Sequence, residues 1–401
     1  MSAPWLSIVG IGEDGIGALN PQAADLVAKA DLFIGGSRHL SMLGDDPRPR
    51  LPWQIPLDPT IEHLSGLKRH RVVVLASGDP LWFGVARRLV ARFGGDAVTV
   101  VPGVASMQLA CARLRWSLAE AEVVTIHGRP IARLARWLQP GRRLVILCAD
   151  RNCPARIAAL LRAHGFGQAR LRVLEHLGGP EERVSDLDLD ETLAGSFRDL
   201  VVVGLEVPPC DRPVRSLVPG LPDDAFLHDG QITKQEVRAA SLARLAPLPG
   251  QRLWDVGAGS GAIAIEWLRA QPGTRAVAIE RQPERVARIR QNAELLGTPE
   301  LLVVEGAAPS ALDGLPPPDA IFLGGGVATP GLLDLLAGRL PPGGRLVANA
   351  VTVNGEAALL AVHAARGGEL ARLNVSRAQK VGGAIAWRAL NPVTQWSWIR
   401  P

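Results

Sequence analysis

LWDVGAGSGAIAIEW, residues 253–267, runs from a short apolar strand through three glycines into a helix. Gly257, Gly259 and Gly261 occupy the turn, and a backbone without Cβ atoms lets a ligand approach closely. The helix that starts near Gly261 aims its free N–H groups and the positive end of its dipole into that gap, which suits a carboxylate or a phosphate. About 20 residues further on, the next strand, AVAIE, ends in Glu280, where an acid can accept hydrogen bonds from both hydroxyls of a ribose. Strand, glycine turn, helix, strand and terminal acid in this order predict an adenosine-containing cofactor. A glycine cluster that merely makes a turn, with a solvated Glu280, is the plain alternative.

The same alternation extends in both directions. Downstream, strands are expected at Ala276–Glu280, Leu301–Val304, Ala320–Leu323 and Arg345–Val347, with further extended stretches near Leu370–Val375 and Ala384–Leu390. Together with Arg252–Val256 this makes seven strands, a doubly wound α/β sheet ending in a hairpin. Upstream, short branched-apolar runs at Leu6–Val9, Leu32–Ile34, Val72–Ala76, Val98–Val101, Val123–Ile126, Leu144–Cys148 and Leu200–Leu205 alternate with helical stretches, which is again α/β. Between the halves, Val207–Asp224 carries five prolines and Gly220, a density that excludes a core strand or helix. The expected division is therefore residues 1–207, a linker at 208–224, and residues 225–401.

A chain of 401 residues with 47% hydrophobic and 21% charged side chains is globular rather than disordered or collagen-like. No apolar run approaches the roughly 20 residues of a membrane span, and Met1–Gly12 lacks a basic region before an apolar one, so a soluble cytoplasmic protein without a membrane partner is expected. Cys111, Cys148, Cys153 and Cys210 are too irregularly spaced for a disulfide framework or a zinc knuckle; we read them as reduced, with no metal site. The net charge of +5 rests on arginine, since Lys29, Lys68, Lys234 and Lys380 are the only lysines. Guanidinium groups suit carboxylates and phosphates, but here they are spread along the chain, so charge alone points only weakly to an acidic partner.

Asp255 before the first glycine and the GxGxG spacing depart from the dinucleotide fingerprint, and resemble motif I of class I S-adenosylmethionine (SAM)-dependent methyltransferases. The resemblance continues through VVEGAAPSAL, PDAIFLGGG and LPPGGRLV. It implies a SAM site formed by Asp255, Gly257, Ala258, Gly259, Ser260, Gly261 and Glu280, with Gly306, Ala307 and Ala308 beside the adenine. Upstream, HDGQITKQEVR, residues 228–238, resembles the entry segment of the decarboxylating precorrin methyltransferases, where the threonine matching Thr233 reaches the cofactor. Lys234 and Arg238 are candidates for reading substrate carboxylates. His228, Asp229, Glu236 and the loop Gly324–Gly326 lie in suggestive segments, with capping, ion-pair or turn roles open for each.

In the first half, VGIGEDG places Gly10, Gly12 and Gly15 in formal GxGxxG spacing after a strand. A nicotinamide site is disfavoured because the helix starts only near Pro21 and no acid ends the next strand. LASGDPLWFG (75–84), VPGVASMQ (101–108) and IHGR (126–129) follow in order, and the set resembles the class III tetrapyrrole methylases. That family holds SAM in a cleft between two α/β subdomains, so Gly10, Gly12, Gly78, Asp79, Pro102, Gly103 and Ser106 become candidate contacts. His127 reads as a buried structural histidine. Glu13, Asp14 and Gly15 stand where the family commonly has proline, glycine and aspartate.

The two resemblances together imply corrin-ring biosynthesis. The first half would methylate C-5 of the macrocycle, and the second would methylate C-15 and remove carbon dioxide from the ring C acetate. Two SAM sites per chain, a tetrapyrrole substrate and a homo-oligomer are implied; no catalytic residue is assigned. An RNA methyltransferase is the rival activity, but no basic cluster interleaved with aromatics supports a nucleic-acid partner. A non-catalytic scaffold would have no need of intact glycine turns and Glu280.

Overall fold

The computed structural model describes residues 4–210, 212–213 and 215–401. The chain divides into two compact units, Met1–Ile131 with Pro140–Asp211, and Ala132–Gln139 with Arg212–Pro401. Residues 132–139 thus depart from the sequence-based division. In the second unit, Arg136 is buried, donates to the Leu268 carbonyl and lies 3.5 Å from the Glu300 carboxylate. These oxygens offset the cost of desolvating its charge.

In the first unit, β1 (Leu6–Ile11), β2 (Leu32–Gly35), β3 (Arg50–Pro52), β4 (Val72–Ser77) and β5 (Val98–Val101) form a parallel sheet ordered β3-β2-β4-β1-β5. Successive side chains enter opposite cores: Ile8, Val72 and Val74 pack on one face, Val9, Val73 and Leu75 on the other. Burial on both faces is why these strands read as unbroken apolar runs. A second, mixed sheet ordered β6-β7-β10-β8-β9 comprises β6 (Ala121–Thr125), β7 (Arg143–Leu147), β8 (Arg170–Glu175), β9 (Arg183–Asp188) and β10 (Val201–Glu206). β8 and β9 escape a search for apolar runs because RLRVLE and RVSDLD alternate charged with apolar residues. Arg172 and Asp186 pair directly across these two strands at 2.7 Å.

The second unit contains β11 (Arg252–Val256), β12 (Arg275–Glu280), β13 (Leu302–Glu305), β14 (Ala320–Leu323), β15 (Arg345–Ala350), β16 (Glu369–Leu373), β17 (Ser376–Val381), β18 (Ala384–Ala389) and β19 (Val393–Ile399). Its main sheet has seven strands in the order β13-β12-β11-β14-β15-β19-β16, with β19 alone running opposite to the others. The expected count holds, but the seventh strand is Val393–Ile399, not Ala384–Leu390. Trp396 is fully buried and stacks 6.2 Å from Trp398, which fastens β19 into the sheet. Every residue of β18 is exposed, and β18 pairs only with β17 in a separate hairpin.

The proline-rich segment also departs from a free linker. Leu221 is 2% exposed within the second unit's core, and Gly220 and Leu221 donate their backbone N–H groups to the Glu266 carboxylate at 2.5 and 3.1 Å. Among the described residues of 207–224 there is no strand or α-helix, and the segment docks all the same. Among the described residues, no helix is long and apolar enough to cross a membrane.

Candidate functional site

β11 is the switch point of the second unit's sheet: its neighbours β12 and β14 lie on opposite sides, and ligands of such sheets bind beyond the carboxyl ends there. A cavity of about 950 Å³ opens at that place. Gly257 leaves β11 with φ +72°, and a Cβ on it would stand 2.9 Å from the Gly325 backbone nitrogen, so the loops after β11 and β14 meet through glycine. Ala258, Gly259 and Ser260 line the cavity with Gly257. Gly261 is absent from the lining: a Cβ on it would approach the Ile289 side chain at 2.8 Å, so it serves the packing of the helix Ala262–Ala270.

Glu280 is 4% exposed and accepts from the Gly259 N–H at 2.9 Å and the Gln282 N–H at 3.0 Å, which fixes its carboxylate at the cavity wall. Asp255 is fully buried and accepts from the Ala264 N–H at 3.1 Å. Burial pushes its carboxyl up from 3.8 to about 7, against the pull of that hydrogen bond. The sign of the linkage follows: the folded state keeps a proton that the unfolded chain has already released. Stability of this unit is therefore expected to fall as pH rises from about 4 to about 7, by at most about 4 kcal/mol. Urea unfolding across that range checks it, and Asp255→Asn should flatten the slope; an unchanged slope would place Asp255 in a more polar environment than described.

Thr233, Lys234, Gly306, Ala307, Ala308 and Gly324–Gly326 also border the cavity. Lys234 precedes the helix Gln235–Leu245 and has no ion-pair partner among the described residues. Arg238 does not reach the cavity, which corrects its expected substrate role. It is fully buried, donates to Glu266 at 2.6 Å and Asp223 at 3.2 Å, and also donates to the Thr233 and Leu221 carbonyls. Its charge is consumed in docking the entry segment. His228 accepts from the Gly230 N–H at 3.0 Å, and Glu236 takes a two-pronged pair from Arg377 at 2.7 and 3.1 Å. Asp229 is held down to about 2, chiefly by its hydrogen bond from Arg285 at 2.8 Å. Sequence reasoning missed Arg281, Asn349 and Asn391 on the lining. Asn349 was findable in principle, because it lies near the carboxyl end of β15. Its amide is oriented by Ser241, which accepts at 3.0 Å, and by Gln395, which donates at 2.9 Å.

In the first unit the loops leaving three adjacent parallel strands, β4, β1 and β5, converge on glycine. Gly103 donates to the Gly78 carbonyl at 3.0 Å, and Gly78 donates to the Ile11 carbonyl at 3.1 Å. Gly12 is held beside Asp14, whose Oδ1 a Cβ would meet at 2.5 Å. Pro102 precedes Gly103, and Ser106 opens the helix Ser106–Leu114. Asp79 accepts from the Leu81 N–H at 2.9 Å, closing its own turn. His127 is exposed in the loop after β6, not buried as expected, because the strand ends at Thr125. Glu13, the departure from the usual loop, accepts from Arg38 and from His176 Nδ1, the latter at 3.0 Å.

Residues 6–192 match the Tetrapyrrole (Corrin/Porphyrin) Methylases, and residues 224–400 match the Precorrin methyltransferase domain. A protein of Sinorhizobium sp named precorrin-6Y C(5,15)-methyltransferase [decarboxylating] is 45% identical over 401 residues, covering 99% of this chain and 97% of its own length. The chain belongs to the precorrin-6Y C(5,15)-methyltransferase (decarboxylating) family. Two shorter relatives each match about half of this chain. The cobalt-precorrin-7 C(5)-methyltransferase of Salmonella typhimurium is 30% identical, covering 49% of this chain and 98% of its own. The probable cobalt-precorrin-6B C(15)-methyltransferase (decarboxylating) of Pyrobaculum aerophilum is 35% identical, covering 44% and 93%. The two halves of this chain thus match two different methyltransferase families.

Proposed function

We propose that this chain uses SAM to methylate precorrin-6Y at C-5 in its first unit and at C-15 in its second, and decarboxylates the ring C acetate to give precorrin-8 in cobalamin biosynthesis. The carrying observation is the pair of glycine cradles, one per unit, each at the carboxyl ends of parallel strands. The relatives named for C(5) and C(15) activities alone support the division of labour.

The second cradle fits SAM. Positive φ at Gly257 and Gly259 leaves room that side chains would fill, Glu280 offers a fixed carboxylate for ribose hydroxyls, and the nine-residue helix Ala262–Ala270 presents its amino end. SAM, when bound, supplies an electrophilic methyl group. The chain's own share is placement: holding the macrocycle carbon in line with that methyl provides most of the rate available without a strong base. Lys234 is positioned to take a substrate carboxylate. Decarboxylation places electrons on the conjugated ring, and the methylene left behind takes a proton from an acid or water to become the methyl group, while the protein orients and desolvates the departing carboxylate.

The chain is proposed to act in the cytoplasm as a homo-oligomer, without membrane or nucleic-acid partners. The exposed apolar side chains of the β17–β18 hairpin, Ile385 at 75% and Trp387 at 77%, support self-association.

Calorimetric titration of SAM into the full-length chain tests the reading, with two sites expected. Glu280→Ala should leave one site at native affinity and weaken the other about 10- to 100-fold, as expected for lost hydrogen bonds to a charged acceptor. A single site in the unsubstituted chain would overturn the two-cradle reading.

A further inference from the structure

Methylation at a meso carbon of a conjugated macrocycle replaces a hydrogen. The ring's π electrons form the new C–C bond while the C–S bond electrons stay on sulfur. The carbon then carries both hydrogen and methyl, and the ring is left cationic. Conjugation returns only when the C–H electrons flow back and the proton leaves. Some group must receive that proton; glycine, proline and serine in the first cradle cannot, and the Asp79 carboxylate is engaged in its own turn by the Leu81 N–H at 2.9 Å.

We propose that His176 is the general base of the first unit's C-methylation, taking this proton on Nε2, with Glu13 and Arg38 as positioning residues. The inference rests on the C-5 reading above. Because the Glu13 carboxylate only accepts, the Nδ1 contact makes Nδ1 the protonated nitrogen and leaves the Nε2 lone pair as the basic site. Nε2 has no partner among the described residues, and the side chain is 18% exposed. Glu13 is itself held through its other oxygen by Arg38, which also donates to Ser77 at 3.1 Å. The carboxylate therefore orients the imidazole and stabilises the imidazolium formed on proton uptake.

The placement connects this group to the cradle. Glu13 lies on the loop leaving β1 past Gly10 and Gly12, and Ser77 precedes Gly78. His176 follows β8, in the other sheet, so its imidazole is tied to the loop that shapes the candidate cofactor site. Its backbone is held at φ +47°, a left-handed conformation unfavourable for histidine, with its N–H on the Leu200 carbonyl at 3.1 Å and its carbonyl accepting from Gly179 at 2.9 Å. Strain of this kind persists where the surroundings enforce it, and it gathers at functional sites. His39, the other histidine of the cluster, is a poor base: burial, aided by Arg38, pushes it down to about 4.

The test uses the full-length chain. His176→Asn retains a side-chain N–H for Glu13 and removes the base. It should lower C-5 methylation about 10²- to 10⁴-fold, leaving a product with one new methyl by mass spectrometry, while calorimetry still counts two SAM sites. His176→Ala should recover C-5 methylation with added imidazole, a response that repair of packing does not produce. Without SAM, in deuterated water, the unsubstituted chain should exchange the C-5 hydrogen of bound substrate for deuterium, and His176→Asn should not. Near-native C-5 methylation by His176→Asn, or loss in His176→Ala that imidazole leaves unchanged, overturns the assignment. An unsubstituted chain that never methylates C-5 fails the underlying reading instead, and the assignment with it.

Discussion

Gly10→Ala should leave the full-length chain with one SAM site instead of two and a product lacking the C-5 methyl group. A Cβ at Gly10 would lie 1.8 Å from the Gly78 carbonyl oxygen and 2.4 Å from the Gly103 nitrogen. Both obstacles are backbone atoms of neighbouring loops, so no side-chain rotation relieves the clash, and β1 and those two loops must separate together. Overpacking of a close-fitting site costs about 1–3 kcal/mol, and a backbone obstacle places this case at the upper end. At about 1.4 kcal/mol per tenfold, the first site should weaken by about 100-fold or more. The second site, with its own glycine turn and Glu280, serves as the internal control. Calorimetry together with the methyl count decides the matter: two native-affinity sites in Gly10→Ala would place SAM away from this cradle.

Arg238→Met is expected to destabilise the second unit by about 3–5 kcal/mol, the range for removing one partner of a buried ion pair. Arg238 and Glu266 are 0% and 2% exposed, and the same guanidinium gathers the Thr233 and Leu221 carbonyls. Without it, Glu266 keeps only the Gly220 and Leu221 N–H groups, and the entry segment loses its anchor. Since Thr233 and Lys234 border the cavity, SAM binding at the second site should weaken along with stability. Urea unfolding and calorimetry measure the two effects. Pairing the change with Glu266→Leu should recover part of the stability, because two apolar side chains leave no buried charge unmatched. If Arg238→Met instead kept native stability and raised only the KM for the macrocycle, Arg238 would be a substrate reader after all.

These two positions mark how far the chemistry was legible before folding. Gly10 stands near the end of the apolar strand β1, and Gly12 and Gly15 close behind it in the chain already mark a turn. The glycines after β11 and the acid ending β12 are likewise set by strand, turn and helix following one another within about 20 residues. Arg238 gave no such signal. In HDGQITKQEVR it looks like any helical arginine, and only Glu266, 28 residues away, and Asp223, 15 residues away, withdraw it from the cavity.

The strands divide in the same manner. Parallel strands buried on both faces, such as VVVLA at Val72–Ala76, declare themselves as apolar runs. The seventh strand of the second sheet did not, because VTQWSWI mixes polar residues with tryptophan, and its membership depends on Trp396 finding a pocket beside β15 and β16. The exposed stretch Ala384–Ala389 has as strong a claim to strand structure, yet only its own hairpin partner receives it.

The sequence by itself determined the α/β class, the glycine turns, the terminal acid of β12 and the family resemblance of each half, because these depend on residues close together in the chain. Only the tertiary structure decided that Leu221 docks in a core, that residues 132–139 join the second unit, and that Glu13 and His176, 163 residues apart, share a hydrogen bond. Charge pairing and burial are set by distance in space, and a one-dimensional pattern carries no record of which distant partner removes a side chain from water.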